Sequence, residues 1–266
     1  MLVLQNISKT FNPGTINEKK ALDGLNLHLR PGDFVTVIGG NGAGKSTMLN
    51  AAAGVWPVDE GRIILDGEDI TALPEHKRAH LIGRVFQDPM MGTAPNMQLE
   101  ENLALAARRG QRRGLNWGVT NAEREEYHER LKILGLGLED RMTSKVGLLS
   151  GGQRQAVTLL MAVLRKPKLL LLDEHTAALD PGTAAKVLEL SDKIVQENNL
   201  TTLMITHNMK DAIRHGNRLI MMNEGHIILD IEGEEKKKLT KQQLIDMFAQ
   251  KGASIDSDEA LLTKGG

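Results

Sequence analysis

Short apolar runs alternate along this chain with longer segments whose apolar residues recur at helical spacing. Apolar and polar residues alternate strictly over 25–29, which is typical of a half-buried strand. Mostly apolar runs predict strands covered on both faces, and they lie at 34–38, 169–172 and 201–206. The segments 218–222 and 226–231 flank Asn223-Glu224-Gly225 and predict a hairpin. Strands that alternate with helices favour a layered α/β domain.

Helical patterns dominate the middle of the chain, over about 89–166. A helix is predicted over 99–109, and Thr120 with Glu123 forms a capping box that begins another. Ser150 and Gln153 form a second capping box, and the helix behind it ends at Arg165-Lys166-Pro167. Further helices are predicted at 45–53 and 240–250, the latter after a charged stretch that begins at Glu232.

Composition then removes several classes of protein. The 33 basic and 34 acidic side chains nearly cancel, so the 266-residue chain lacks the basic excess expected of a nucleic-acid-binding body. No cysteine is present, which excludes disulfides, Cys-ligated zinc, Fe–S clusters and thiol nucleophiles. The longest nearly apolar run is 156–164, and a membrane span needs about 20 such residues. We therefore expect a cytoplasmic protein that reaches a membrane only through a partner.

A glycine-rich segment between the strand at 34–38 and the helix at 45–53 matches the phosphate-loop pattern GxxxxGK[ST]. Glycines let backbone N–H groups converge on an anion, and the helix N-terminus adds a positive dipole. We expect Lys45 to reach the β- and γ-phosphates of ATP and Ser46 to ligate Mg²⁺. The predicted ATP-binding residues are Gly39, Gly40, Asn41, Gly42, Ala43, Gly44, Lys45, Ser46 and Thr47.

Two adjacent carboxylates follow the apolar run 169–172. Asp173 is expected to hold the Mg²⁺ shell, and Glu174 to orient or deprotonate the attacking water. A strand followed by an acidic turn that caps a helix is the alternative interpretation of this pair. The phosphate loop upstream favours the catalytic one.

The segment Leu149-Ser150-Gly151-Gly152-Gln153 resembles the signature of ABC-type ATPases, and the order of motifs matches that family along nearly the whole chain. Gln87 resembles its Q-loop, Asp180 the end of its D-loop, and His207 its switch histidine. Phe11 stands where the family places an aromatic residue that stacks on adenine, and a longer loop after it leaves open that Ile16 shares or replaces this contact.

The resemblance implies roles for these residues. Ser150, Gly151, Gly152 and Gln153 would face the ATP of the opposite subunit in a head-to-tail homodimer, beside their capping role. Glu174 and His207 would be catalytic. Gln87 and Asp180 would couple the ATP site to the other parts of the transporter. Gln87 would also bind Mg²⁺, together with Ser46 and Asp173. Asp180 followed by Pro181 also fits a helix N-cap and N1.

The fold that the resemblance implies is a P-loop NTPase (RecA-like) core with an antiparallel β subdomain and an inserted α-helical subdomain. One ATP-binding domain would then cover 1–250: the core at 1–88 and 167–231, the helical subdomain with the signature at 89–166, and a loose tail at 251–266. The arginines at 108, 109, 112 and 113 are interpreted as a solvated loop face, with lipid headgroups or a partner's acidic loop as the second interpretation.

The chain is similar to bacterial solute-importer ATPases related to the branched-chain amino-acid group. That similarity implies a cytoplasmic ATP hydrolase, peripheral on the inner face of the cell membrane, that uses ATP and Mg²⁺. Its partners would be a membrane permease and a separate solute-binding protein, with an amino acid or similar solute as cargo. The alternative is a cytosolic ABC ATPase that works without a permease, for example in iron–sulfur scaffold assembly.

Overall fold

The computed structural model of the chain describes residues 1–111 and 118–251. Its strands are β1 (Leu2–Phe11), β2 (Lys19–Leu29), β3 (Phe34–Ile38), β4 (Glu60–Leu65), β5 (Glu68–Asp69), β6 (Ile82–Val85), β7 (Leu169–Asp173), β8 (Thr201–Ile205), β9 (Arg218–Asn223) and β10 (His226–Glu232). Its helices are α1 (Lys45–Ala53), α2 (Glu75–Arg78), α3 (Leu99–Ala107), α4 (Asn121–Lys132), α5 (Gly151–Val163), α6 (Pro181–Asn198), α7 (Met209–Arg214), α8 (Gly233–Lys238) and α9 (Lys241–Gln250). None of the helices in these described ranges is long and apolar enough to cross a membrane.

The chain divides into two compact units. The first unit comprises Met1–Arg78 and the chain from Asn199 onward, and the second comprises Ala79–Asn198. The first unit contains an antiparallel sheet in the order β2-β1-β4-β5. Its inward-facing residues include Leu2, Leu4, Leu27 and Leu29, all buried, which confirms the alternation seen in β2. This sheet is the antiparallel β subdomain expected from the sequence.

A second sheet of the first unit carries the strand that leads into the glycine-rich segment. Strand β3 lies between β8 and β9 and runs parallel to both, and β10 pairs antiparallel with β9 as the predicted hairpin. All five residues of β3 are buried, which agrees with its apolar pattern. Helices α7 and α9 pack their apolar faces on this sheet, where Met209, Leu244 and Phe248 join its core.

The second unit pairs β6 with β7 in parallel and surrounds them with helices. Two of these helices begin at the capping boxes that the sequence predicts. Thr120 Oγ1 accepts the N–H of Glu123 at the start of α4, and Ser150 Oγ accepts the N–H of Gln153 at the start of α5. The predicted ends of α3 and α5 lie two or more residues beyond those in the structure, because helix ends fray into turns.

The charged stretch after Glu232 forms a helix that was not predicted from the sequence. Residues 233–238 are α8, and Lys236 is buried. Its Nζ donates to the backbone carbonyl oxygens of His215 and of Gly216, the latter at 3.1 Å. Backbone acceptors thus stabilise a cation that a pattern of charges assigns to the surface. The predicted loose tail at 251–266 lies outside the described residues except for Lys251.

Candidate functional site

The glycine-rich segment leaves the carboxyl end of β3 and turns directly into α1. Gly39 and Gly44 have φ of 152° and 98°, a backbone region that favours glycine. A Cβ atom at Gly39 would lie 2.2 Å from Met222 O, and one at Gly44 would lie 2.5 Å from Ala21 O. No side chain caps the start of α1. The sequence therefore folds here into a tight loop whose helix end is open to an anion.

Lys45 is 5% exposed, and its ammonium group lies across the loop. Its Nζ donates to Gly39 O at 2.6 Å and to Gly40 O at 2.9 Å. Ser46, one residue on, is exposed at the first turn of α1. The loop thus concentrates a cation, a hydroxyl group and a helix N-terminus within a few residues, as phosphate binding requires.

His207 lies at the same edge of the sheet as the glycine-rich segment. It follows β8, which runs parallel to β3, and Thr206 N donates to Val37 O at 3.1 Å. Asn208 then caps α7 by accepting the N–H of Lys210 at 2.9 Å. Carboxyl ends of neighbouring parallel strands gather binding residues at one edge, which supports the prediction made for this half-buried histidine.

Phe11 lies at the end of β1, next to an aromatic residue that sequence reasoning missed. Its ring centroid is 4.9 Å from that of Trp56, and the two rings meet edge to face. Ile16 is fully exposed in the turn that follows, where Gly14 N donates to Glu18 Oε2 at 2.6 Å. The scarcity of aromatic residues in this chain was the signal available for Trp56. Both adenine-contact candidates therefore remain accessible.

In the second unit, β7 ends with Asp173 and Glu174. Arg84 of β6 forms an ion pair with Asp173, with Nη2 and Oδ2 3.2 Å apart, and its guanidinium lies over the ring of Phe86 at 4.5 Å. Sequence reasoning missed Arg84, whose signal was an arginine three residues before Gln87, within an otherwise apolar strand. The carboxylate assigned to the Mg²⁺ shell is thus oriented by a neighbouring strand.

Glu174 has a left-handed backbone, with φ of 46°, at the turn that leaves β7. The next residue, His175, is 2% exposed, and its Nε2 lies 3.0 Å from Ser191 Oγ on α6. Sequence reasoning assigned no role to His175, and the structure gives it an anchoring one. A non-glycine residue in this region costs free energy that its surroundings must offset, and such residues cluster at functional sites.

The signature segment lies at the start of α5 with its polar groups outward. Ser150 and Gly151 are exposed, and Ser150 caps the helix. A Cβ atom at Gly152 would lie 2.1 Å from Thr183 Cγ2 of α6, so a side chain there would have to displace Thr183. The structure therefore shows the capping role of Ser150. The helix behind it has 13 residues, its N-terminus is accessible, and both glycines lie in its first turn.

Asp180 and Gln87 complete the predicted residues of the second unit. Asp180 Oδ1 accepts the N–H of Thr183 at 3.0 Å, and this N-cap bonding holds the pKa of its carboxyl below the usual range. Gln87 is exposed, directly after Phe86, whose carbonyl oxygen accepts a hydrogen bond from Gln155 Nε2 at 3.1 Å. The buried Gln155 of α5 thus ties the signature helix to the segment before Gln87, a contact that the sequence pattern did not indicate.

The interpretation of the arginines at 108–113 as a solvated loop face was wrong for its described members. Arg108 Nη2 contacts both carboxylate oxygens of Glu123, at 2.8 and 3.0 Å. Arg109 Nη2 donates to Met161 O at 2.9 Å near the end of α5, and burial lowers the pKa of its guanidinium. Both side chains therefore stabilise helix packing. Arg112 and Arg113 lie outside the described residues.

The structure thus groups the predicted residues in two sets. The first unit holds Phe11, the loop 39–47 and His207, and the second holds Gln87, 150–153, Asp173, Glu174 and Asp180. Over residues 1–111 and 118–251, no group of three or more His, Asp or Glu side chains is placed to hold a metal ion by itself. A magnesium ion that keeps its waters and substrate phosphates does not need such a group.

Comparison with known proteins adds to this geometry. Residues 22–177 match the sequence profile described as ABC transporter. The tyrosine transport ATP-binding protein of Clostridioides difficile is 45% identical over 93% of this chain and 98% of its own length. The methionine import ATP-binding protein MetN of Corynebacterium diphtheriae is 34% identical over 98% of this chain and 76% of its own length. A solved dimeric ATP-binding cassette in a post-hydrolysis state with ADP and Pi matches with a TM-score of 0.74 and 31% identity, over 87% of this chain and 98% of that one.

Proposed function

This chain belongs to the ABC transporter family, and from that premise we propose that it binds MgATP at the loop 39–47 and energises solute import through a separate membrane permease. It is an ATP-binding and ATP-hydrolysing transport subunit. The observation that carries the proposed site is the loop itself: a helix N-terminus without a side-chain cap, next to a buried lysine ammonium. The permease-free alternative in iron–sulfur assembly is not favoured, because the relatives are transport and import ATP-binding proteins.

In the proposed site, Lys45 exchanges its two carbonyl acceptors for phosphate oxygens. The hydrogen bonds of its Nζ to Gly39 O and Gly40 O keep the ammonium group at the loop before nucleotide arrives. An ammonium that is already desolvated and oriented loses little conformational entropy when it meets a phosphate. The backbone N–H groups at the start of α1 supply the remaining donors.

Mg²⁺ fits the donor chemistry of the residues assigned to it. Ser46 presents an exposed hydroxyl group, Asp173 a carboxylate that Arg84 orients, and Gln87 an exposed amide, all oxygen ligands that this hard cation prefers. When bound, Mg²⁺ would neutralise negative charge on the β- and γ-phosphates. The left-handed backbone at Glu174 supports a role for this carboxylate in orienting the attacking water, with His207 as a contact to the γ-phosphate.

We further propose that two copies bind head to tail, so that Ser150 and the glycines after it face the ATP of the other copy. The exposure of Ser150 and Gly151 in a single chain supports this arrangement, because an accessible helix N-terminus is suited to an anion. The dimeric ADP- and Pi-bound cassette is a relevant precedent. Gln87 and Asp180 would transmit occupancy of the site to the partners.

The proposed cargo is an amino acid or a similar small solute, delivered by a separate solute-binding protein. The tyrosine and methionine transport relatives support this class of cargo. Membrane fractionation tests the partner. With the permease co-expressed, the chain should sediment with membranes, and without it the chain should stay in the supernatant. Sedimentation that does not depend on the permease would contradict the proposal.

The variant Glu174→Gln tests the chemistry. The carboxylate is replaced by an amide of the same size, so ATP should still bind while turnover falls about 100-fold or more. Trapped ATP should then hold two copies together, so the variant should elute as a dimer in MgATP. Glu197→Gln, the same change at an exposed position of α6, is the matched control and should hydrolyse ATP at the wild-type rate. Wild-type turnover by Glu174→Gln would remove Glu174 from the catalytic role.

A further inference from the structure

A second lysine lies beside the phosphate loop, on a strand outside every motif considered above. Lys19 begins β2, and its side chain is exposed. If Gly42 carried a Cβ atom, that atom would lie 2.7 Å from Lys19 Nζ. The ammonium group therefore lies directly over the loop, in the space that the missing side chain of Gly42 leaves.

The strand register links this lysine to the adenine candidate. Lys19 is the Cα partner of Phe11 in the antiparallel β1–β2 ladder. Directly paired residues project on the same face of a sheet, so the two side chains are neighbours. Two residues further along β2, Ala21 O lies against Gly44 of the loop. The start of β2 thus joins the aromatic residue to the loop, with Lys19 between them.

Lys19 differs from the adjacent Lys20, which forms a surface ion pair. Lys20 Nζ pairs with Asp23 Oδ1 at 2.5 Å, and hydrogen bonding from Lys20 lowers the pKa of the Asp23 carboxyl. In contrast, no side chain within 1–111 and 118–251 forms a hydrogen bond or ion pair with Lys19. An exposed ammonium without an acceptor, 2.7 Å from the vacant Cβ position of a phosphate-loop glycine, is suited to a ligand that is itself an anion.

We propose that Lys19 is a second phosphate-binding cation of the nucleotide site, which contacts the part of the phosphate chain nearest the base. This inference rests on the proposed function of the loop 39–47. Lys45 Nζ donates to Gly39 O and Gly40 O, whereas Lys19 Nζ lies at Gly42. The two ammonium groups would therefore contact different phosphates. A lysine so placed recognises nucleotides by their phosphate next to the ribose, which ATP, ADP and AMP share.

Isothermal titration of the full chain with ADP and AMP, in the presence of Mg²⁺, tests the assignment. Lys19→Gln should weaken the binding of both nucleotides about tenfold, the typical effect of losing one charge-assisted contact. Lys19→Arg, which keeps the charge, should bind within about threefold of wild type. Lys20→Gln is the matched control on the same strand and should bind as wild type does. Higher salt should weaken wild-type binding more than that of Lys19→Gln.

Lys45→Ala separates this inference from the proposed function. If Lys45→Ala loses ADP binding while Lys19→Gln binds as wild type does, Lys19 is only a solvated surface residue and the inference fails. If Lys45→Ala binds ADP as tightly as wild type, the loop is not the phosphate site and the proposed function fails with it. Equal melting temperatures of wild type and Lys19→Gln would show that the change in affinity is not a loss of fold.

Discussion

The helix that carries Lys45 and Ser46 is closed at its far end by a buried arginine. Arg78 is 2% exposed, and each of its hydrogen bonds goes to a backbone carbonyl oxygen. Nη1 donates to Ala51 O at 2.8 Å and Ala52 O at 2.9 Å, Nε to Leu73 O at 2.8 Å, and Nη2 to Thr71 O at 2.9 Å. A cation at a helix C-terminus also interacts favourably with the helix dipole.

The variant Arg78→Met keeps much of the buried volume and removes every one of these donors. Gly54 N still donates to Ala51 O, so the carbonyls of Ala52, Leu73 and Thr71 lose a donor. At about 1 kcal/mol for each lost hydrogen bond, the free energy of unfolding should fall by about 3 kcal/mol. Burial lowers the pKa of Arg78, so removing the charge also relieves a desolvation cost that offsets part of the loss.

Urea denaturation followed by circular dichroism measures this change, and the melting temperature should fall by about 6–12 °C for a chain of this size. Arg62→Met, at an exposed position of β4, is the matched control and should change the free energy of unfolding by less than about 0.5 kcal/mol. If Arg78→Met unfolded within about 1 kcal/mol of the control, the carbonyl bonds would not stabilise α1, and the reasoning would be refuted.

Two further predictions concern the adenine contact and the acid side of the stability profile. Phe11→Ala should weaken ATP binding about fivefold if this ring stacks on adenine, whereas Ile16→Ala should have no effect on affinity, and the reverse result would assign the contact to Ile16. Hydrogen bonding from Thr120 N, and then from Arg108, holds the pKa of Glu123 below its usual value of 4.5, so this carboxylate stabilises the fold above that pH and less as the pH falls. In urea titrations, the free energy of unfolding of Glu123→Gln should therefore decrease less than that of wild type as the pH falls below 4.5. An unchanged pH profile would contradict this role of Glu123.

The strands and helix starts of this chain could be predicted because their signals are local. The apolar runs of β3, β7 and β8 and the capping boxes at Thr120 and Ser150 appear in the structure with nearly the predicted bounds. The glycine-rich turn between β3 and α1 could also be predicted, since the spacing of its glycines follows from the backbone geometry of one turn.

Buried cations could not be predicted in this way. Arg78, Arg109 and Lys236 all donate to backbone carbonyls of segments distant in sequence, which a pattern that assigns charges to the surface does not reveal. Trp56 and Arg84 were missed for a related reason, because their partners Phe11 and Asp173 are distant in sequence. The parallel pairing of β6 with β7 brings Arg84 to Asp173, whereas Trp56 reaches Phe11 from the loop between α1 and β4.

The residue after Glu174 is buried and anchored on the neighbouring helix. His175 Nε2 lies 3.0 Å from Ser191 Oγ, and the same hydroxyl group donates to Val187 O at 2.8 Å. The orientation of the buried His175 ring is thereby held against α6. Glu174, with φ of 46°, thus stands directly beside a buried and anchored residue at the turn that leaves β7. A non-glycine residue keeps this costly conformation only where its surroundings offset the strain, and the contacts of His175 with α6 are part of those surroundings.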